Sequence, residues 1–214
     1  MKTIYDIYDK SKIPTLPRAL FTGRIIVVFT QADCEKAVSY LLKQKILGID
    51  TETRPSFKRG VMHQVALLQV STYDTCFLFR LNMTDINPPI RRLLEDTTVA
   101  KVGLSLQDDI RMLAKRAEFT PGWYIELQHE ILALGIKDMS LQKIYANLFG
   151  EKICKNQQLS NWEADTLSEA QQRYAATDAW ACLRIYEEIL RLKREDDYIL
   201  EMAETSSALT ALQA

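Results

Sequence analysis

The sequence predicts an α/β fold in which one mixed β-sheet is flanked by helices. Three observations along its 214 residues lead to this class. Short apolar runs rich in β-branched residues occur along the first half of the chain, and the segment between the first two runs has apolar residues at helical spacing. Two later runs are joined by a link of hairpin length. From Gln107 onward the apolar spacing is mostly helical, and strands followed by helices favour a single sheet covered by helices.

The strands are predicted from these apolar runs. Met1 to Arg24 contains two prolines and is expected to be an irregular lead-in. The short link Thr72 to Asp74 predicts a hairpin, so we expect three antiparallel strands from this meander and a parallel arrangement for the others. The predicted strands are Arg24 to Thr30, Leu47 to Asp50, His63 to Ser71, Thr75 to Leu81 and Val99 to Leu104.

The helices are predicted from apolar spacing and from residues suited to helix ends. Pro88 and Pro89 fit a first turn, where a missing amide hydrogen does no harm. Ser168 with Gln171 is typical of a helix start, and Gly150 of a helix end. The predicted helices are Gln31 to Gln44, Pro88 to Leu94, Asp108 to Ala117, Ile125 to Ala133, Ser140 to Leu148 and Ser168 to Arg194, followed from residue 201 by a frayed tail.

Composition excludes several classes of protein. The net charge is −1, so the chain lacks the basic excess of a protein that coats long duplexes, and any polyanion must be held locally. The two histidines and four cysteines lack zinc-ligand spacing, so we expect reduced thiols and no zinc-histidine enzyme. No apolar run is long enough to cross a bilayer, and the N-terminus lacks a signal-peptide pattern. We therefore expect a cytoplasmic protein.

Two pairs of residues at the end of a strand and on a long helix are candidates for a site. Asp50 and Glu52 are two apart on a strand, so both side chains lie on one face. Tyr174 and Asp178 are four apart and share a helix face beside its apolar stripe. Each pair alone is also compatible with a solvated or ion-paired surface position.

Asp108 and Asp109 open the helix that follows the fifth strand. Helical geometry places Asp109 beside the apolar stripe of this helix and Asp108 nearly opposite it, so Asp109 is the better candidate for a buried site. Buried carboxylates repel one another unless a cation lies between them. Together, the four acids would form an oxygen-only pocket for two divalent cations, Mg²⁺ or Mn²⁺.

The order and the residues of these segments resemble those of the 3′–5′ exonucleases of the ribonuclease D and Werner type, within the tyrosine subclass of the DEDD superfamily. Tyr174 and Asp178 mark that subclass. The resemblance extends over Ile25 to Leu192. The segments that carry it are Gly48 to Thr53, Val65 to Val70, Lys101 to Leu104 with Asp109, Ser160 to Trp162, and Leu167 to Ala179.

This resemblance implies a ribonuclease H-like fold, with a mixed five-stranded sheet and helices on both faces, and a catalytic domain over residues 25–200. It also implies two-metal hydrolysis of phosphodiester bonds at 3′ ends, releasing nucleoside 5′-monophosphates. Asp50 would bridge both ions, whereas Glu52 and Asp178 would complete one of them. Asp109 would hold the second ion through water, and Tyr174 would orient the attacking water or help to deprotonate it.

Contacts to nucleic acid are expected in the loop that follows Glu52 and near Asp109. This loop combines an aromatic ring for base stacking with cations for phosphate, although an ordinary solvated basic loop has the same composition. The candidate residues are Thr53, Phe57, Lys58, Arg59 and Arg111. The expected partner is a single-stranded DNA or RNA with a free 3′ end. Two alternatives are RNA 3′-end processing of the ribonuclease D kind and a catalytically silent nucleic-acid-binding domain.

Overall fold

The fold is described by a computed structural model over residues 1–203, so most of the tail predicted from residue 201 lies outside this range. Glu201 itself ends a β-strand, where a frayed tail was predicted. Its centre is a six-stranded mixed sheet with the strand order β2-β5-β4-β3-β6-β7. The strands are β2 (Arg24–Val28), β3 (Ile46–Thr53), β4 (Val65–Ser71), β5 (Thr75–Arg80), β6 (Ala100–Gly103) and β7 (Tyr124–Glu126).

The pairing directions agree with the predicted arrangement. Strands β3, β4 and β5 form the antiparallel meander, while β2, β6 and β7 are each parallel to the strand beside them. The predicted α/β class with a mixed sheet is therefore confirmed. Strand β3 extends to Thr53, with a register irregularity between Glu52 and Thr53 that lies directly after the paired acids.

The sheet has six strands rather than five, because β7 occupies a segment predicted as helix. Tyr124, Ile125 and Glu126 pair with the outer edge of β6, and the helix that follows begins only at Leu127. Three residues are too few to show the alternation that marks a strand, so the helical spacing that follows dominated the prediction.

The N-terminal segment is also more regular than predicted. Strand β1 (Lys2–Tyr5) pairs in parallel with β8 (Tyr198–Glu201), and a 3₁₀ helix spans Lys10–Thr15. Ile4 is fully buried, and its strand partner lies at the opposite end of the described chain. A pairing between segments so far apart leaves no local sequence signal, which explains why the segment was predicted to be irregular.

Helices cover both faces of the sheet. Helices α1, α3 and α4 pack with β3, β4 and β5 on one face, and α5, α6 and α7 pack on the other. The Ser168 capping box and the left-handed C-cap at Gly150 are present as predicted. The helices are α1 (Gln31–Leu41), α2 (Leu81–Thr84), α3 (Pro88–Glu95), α4 (Leu106–Ala114), α5 (Leu127–Leu132), α6 (Leu141–Phe149) and α7 (Glu169–Glu195).

The long helix α7 lies unusually close to β3. A Cβ atom at Gly48 would come within 2.0 Å of the backbone oxygen of Ala179, so only glycine allows this approach. The contact places Asp178, the residue before Ala179, directly over the strand that carries Asp50. Within residues 1–203, no helix has both the length and the apolar character needed to cross a membrane.

Candidate active site

Three carboxylates from two elements meet at the carboxyl end of β3. Asp50 and Glu52 project from one face of this strand, and Asp178 projects from the first half of α7. One carboxylate oxygen from each residue lies within 4.8 Å of the other two. We refer to Asp50, Glu52 and Asp178 as the acidic cluster. The structure therefore brings together residues that are separated by more than half of the chain.

The acidic cluster lines a cavity of about 250 Å³. Tyr174 lies on the same wall, one helical turn before Asp178. The cavity is also lined by Lys155 and Gln158, which precede Trp162 in the sequence. The sequence pattern gave no reason to place Lys155 at the site. The cavity thus combines oxygen ligands, a phenol and one cation.

Asp109 lies beside the acidic cluster and is held by β3. The Thr51 hydroxyl donates a hydrogen bond of 2.5 Å to Asp109 Oδ1. Asp108 has 77% of its side chain exposed and pairs with Arg111 at 3.1 Å. The two consecutive acids therefore point in different directions, Asp109 toward β3 and Asp108 into solvent. The predicted contact residue Arg111 lies on that exposed surface, paired with Asp108.

Glu126 fixes the start of the helix that carries Asp109. Its two carboxylate oxygens accept hydrogen bonds from the backbone amides of Ser105 and Leu106, at 2.9 and 2.7 Å. Ser105 has φ 62°, a left-handed conformation that turns β6 sharply into α4. A carboxylate at a helix N-terminus also interacts favourably with the helix dipole. Sequence reasoning missed Glu126 because it assigned this segment to a helix.

Burial and mutual repulsion raise the pKa values of the acidic cluster. Burial raises the pKa of Asp50 well above its usual value, and the charges of Asp109, Asp178 and Glu52 raise it further. Burial, with Asp178 and Asp109 nearby, raises the pKa of Glu52 to about 9. For Asp178, burial raises the pKa to about 7, although the Tyr174 phenol and the Lys155 charge oppose that shift.

Asp109 and Tyr174 are shifted in the same direction. Burial raises the pKa of Asp109 to about 6, whereas the hydrogen bond from Thr51 lowers it and the charge of Glu126 raises it. Burial, followed by the charges of Asp178 and Glu52, raises the pKa of Tyr174 above its ordinary value. In the absence of cations a phenol with a raised pKa keeps its proton at neutral pH, so Tyr174 is suited to orient a group.

The donor set fits a hard divalent cation. Every ligand of the acidic cluster is a carboxylate oxygen, the type that Mg²⁺, Mn²⁺ and Ca²⁺ prefer. Asp178 Oδ1 is buried and has no hydrogen-bond partner within residues 1–203. A buried carboxylate oxygen without a partner is unfavourable, and a cation between the clustered acids removes both that penalty and their repulsion. The acidic cluster therefore can hold a metal ion.

The other predicted contact residues lie outside the cavity wall. Thr53 ends β3, and the loop after it carries Phe57, which is 85% exposed, followed by exposed Lys58 and Arg59. The loop is anchored to the segment after Lys155 through Glu163. Arg54 pairs with that carboxylate at 3.1 Å and His63 at 3.0 Å, at opposite ends of the loop.

Comparison with known proteins identifies the family. The model of the 3′-5′ exonuclease family matches residues 25–193. The mouse bifunctional 3′-5′ exonuclease/ATP-dependent helicase WRN is 27% identical over 216 residues, which cover 91% of this chain and 15% of that protein. The exonuclease 3′-5′ domain-containing protein 2 of Drosophila melanogaster is 36% identical over 151 residues, covering 69% of this chain and 26% of that protein.

Solved structures show the same fold. The Aedes aegypti Nibbler EXO domain matches with a TM-score of 0.72 and 21% identity, covering 82% of this chain and 91% of that one. Escherichia coli RNase D, an exoribonuclease involved in structured RNA processing, matches with a TM-score of 0.72 and 18% identity, covering 80% and 46%. The predicted ribonuclease H-like fold class is confirmed, with six strands in the sheet.

The chain belongs to the 3′-5′ exonuclease family, a family of phosphodiester hydrolases. The family predicted from the sequence is therefore confirmed. The chain spans only 15% and 26% of the lengths of the mouse and Drosophila relatives. Activities and partners that reside in the rest of those proteins do not transfer to it on this basis.

Proposed function

We propose that this chain is a metal-dependent 3′–5′ exonuclease that removes nucleoside 5′-monophosphates from the 3′ end of a nucleic acid. The observation that carries the proposal is the acidic cluster, with its oxygens within 4.8 Å of one another beside Tyr174, in a member of this family. The proposed catalytic unit is residues 25–200. The four cysteines are free thiols, which supports a reducing, cytoplasmic location.

The proposed metal ligands are the four acids, and the proposed ions are two Mg²⁺ or Mn²⁺. The charges of Asp109, Asp178 and Glu52 all act on Asp50, so Asp50 is the acid proposed to contact both ions. When bound, two such ions activate a water molecule and stabilise the departing 3′ oxygen. Thr51 holds Asp109 in place by its hydrogen bond and keeps that carboxylate facing β3.

Two further side chains would act directly on the substrate. Tyr174 retains its proton and is 9% exposed at the cavity wall, so its hydroxyl can orient the attacking water. Lys155 also lines the cavity and its charge acts on Asp178, so its ammonium can contact the phosphate and balance charge that develops there. The proposed catalytic residues remain Asp50, Glu52, Asp109, Tyr174 and Asp178.

The shape of the site supports a single-stranded end as the substrate. The cavity that contains the acidic cluster is small, about 250 Å³, which supports a narrow single-stranded end over a double helix. The exposed loop after β3 lies next to the cavity in sequence and offers a ring and two cations for the following nucleotides. Thr53, Phe57, Lys58, Arg59 and Arg111 stay the proposed contacts, and both DNA and RNA stay candidate substrates.

A second candidate is RNA 3′-end processing. The fold shared with Escherichia coli RNase D, which acts on structured RNA, favours this alternative. A catalytically silent domain is less favoured because all four acids are present. RNA 3′-end processing differs from the main proposal in its preferred substrate, and a silent domain differs in having no turnover. One assay on several substrates therefore separates them.

The test is degradation of 5′-labelled DNA and RNA oligonucleotides, with free or blocked 3′ ends, in Mg²⁺, Mn²⁺ or EDTA. We expect stepwise shortening from the free 3′ end that requires a cation and is lost in Asp50→Ala. The Asp108→Asn variant, altered at an exposed acid, serves as the matched control and should retain activity. Equal cleavage of blocked and free 3′ ends would refute the polarity, and inactivity on every substrate would favour the silent domain.

A further inference from the structure

Gln69 is a buried amide without a hydrogen-bond partner. It lies in the middle of β4 and is 0% exposed. Neither its Nε2 nor its Oε1 atom has a partner within residues 1–203. A primary amide offers two donors and a carbonyl acceptor, and burying them unpaired is unfavourable. Apart from Gln69 and the final Ser71, every residue of β4 is apolar, so an apolar side chain at position 69 would suit the packing of this strand better.

The strand register places Gln69 directly opposite Asp50. The two residues pair in the antiparallel ladder between β3 and β4. Side chains of such a pair lie on one face of the sheet, with Cβ atoms roughly 4.5–5.5 Å apart. The neighbours of Gln69 in β4 confirm which face this is. Leu68 and Val70 pack in the core with Ile49, whereas Leu67 packs with Tyr174 on the side of α7.

Other unpaired polar atoms lie on this same side of the sheet. Trp162 Nε1 and Asp178 Oδ1 are buried, and neither has a partner in the described part of the chain. Trp162 packs with Leu67 and Tyr174, and Asp178 belongs to the acidic cluster. Buried polar groups in native proteins are nearly always satisfied. An unpaired amide directly opposite an acid of the cluster therefore indicates that this acid is its intended partner.

We propose that Gln69 is a positioning residue for Asp50. Its Nε2 group donates a hydrogen bond to the Asp50 carboxylate when that carboxylate binds a cation. The bond leaves the remaining carboxylate oxygen lone pairs directed at the metal. Partners of this kind fix the orientation of metal ligands and raise metal affinity. The inference depends on the proposed function, because it assumes that Asp50 is a metal ligand.

The test compares cation binding with stability in the absence of cations. Gln69→Leu and Gln69→Met remove the amide and keep a similar volume. Isothermal calorimetry with Mn²⁺ alone should show about 10–100-fold weaker binding in both variants. The Tm measured in EDTA should be unchanged or higher, because an unpaired buried amide has been removed. Leu68→Met, on the same strand but facing the other core, is the control and should bind Mn²⁺ like the wild type.

The Mn²⁺ affinity and the Tm in EDTA together distinguish a positioning role of Gln69 from a packing role. A lower Tm in EDTA for both variants, with unchanged Mn²⁺ affinity, would assign Gln69 to packing and overturn the inference. Asp50→Asn separates this failure from failure of the proposed function. If Asp50→Asn loses Mn²⁺ binding while both Gln69 variants keep it, only the inference fails. If the wild type and Asp50→Asn bind Mn²⁺ alike, the metal-ligand assignment and the inference fail together.

Discussion

Replacing Asp178 by asparagine should stabilise the cation-free protein at neutral and alkaline pH. Asp178 is 6% exposed, and burial raises its pKa from 3.8 to about 7. In the unfolded chain the same carboxyl ionises near its ordinary value. Between these two pH values the folded state retains a proton that the unfolded state has released. The folded protein therefore loses stability as the pH rises from 3.8 to about 7.

The size of this effect follows from the interval between the two pKa values. At ~1.36 kcal/mol for each pKa unit, a rise from 3.8 to about 7 corresponds to about 4 kcal/mol. Asparagine does not ionise and avoids this loss. Asp178→Asn should therefore be more stable than the wild type by up to about 4 kcal/mol at pH 8 and by nothing at pH 3.5. In a domain of this size that corresponds to roughly 8–16 °C in Tm.

Urea denaturation in EDTA at several pH values measures this difference. The free energy of unfolding of the wild type should fall with pH more steeply than that of Asp178→Asn. Asp108→Asn is the control, because it makes the same substitution at an acid whose side chain is 77% exposed. Excess Mg²⁺ should restore the free energy of unfolding of the wild type and leave that of Asp178→Asn unchanged. A variant no more stable than the wild type at pH 8 would refute the reasoning.

Three further predictions concern catalysis. Asp109→Asn should lower kcat/KM by roughly 10²-fold or more, since charged metal ligands stabilise the transition state. The control Asp108→Asn should have the kcat/KM of the wild type. An equal loss of kcat/KM in both variants would contradict the choice of Asp109 over Asp108. Glu126→Gln weakens the hydrogen bonds at the start of α4 and should raise the Mg²⁺ concentration for half-maximal rate by about 10–100-fold. An unchanged Mg²⁺ titration would contradict a role of Glu126 in positioning Asp109. Tyr174→Phe should lower kcat by roughly 10²-fold with little change in Mg²⁺ requirement, and a wild-type kcat would exclude Tyr174 from orienting water.

Local periodicity was enough to predict how the main acids are oriented. The two-residue period of a strand places Asp50 and Glu52 on one face, and that is how β3 presents them. The helical wheel distinguished Asp109 from Asp108, and the structure turns the first toward Thr51 and the second into solvent. In both cases the orientation depends only on residues within one element.

Features that depend on contacts between distant segments could not be predicted in this way. The pairing of β1 with β8 joins the two ends of the described chain, and β7 is defined by its neighbour β6 more than by its own three residues. Glu126 caps a helix that begins about twenty residues before it, which no spacing rule indicates. The position of Gln69 opposite Asp50 follows from strand register, which the hairpin link alone does not fix for β3.

The central claim is that Asp50, Glu52 and Asp178 together bind catalytic cations. The most direct measurement is anomalous X-ray scattering from crystals grown with Mn²⁺ and a non-cleavable 3′-terminal dinucleotide. We predict two Mn²⁺ peaks in the cavity, with Asp50 contacting both and the terminal phosphate lying between them and Tyr174. A dinucleotide seated in the cavity with no Mn²⁺ peak against these carboxylates would contradict the account.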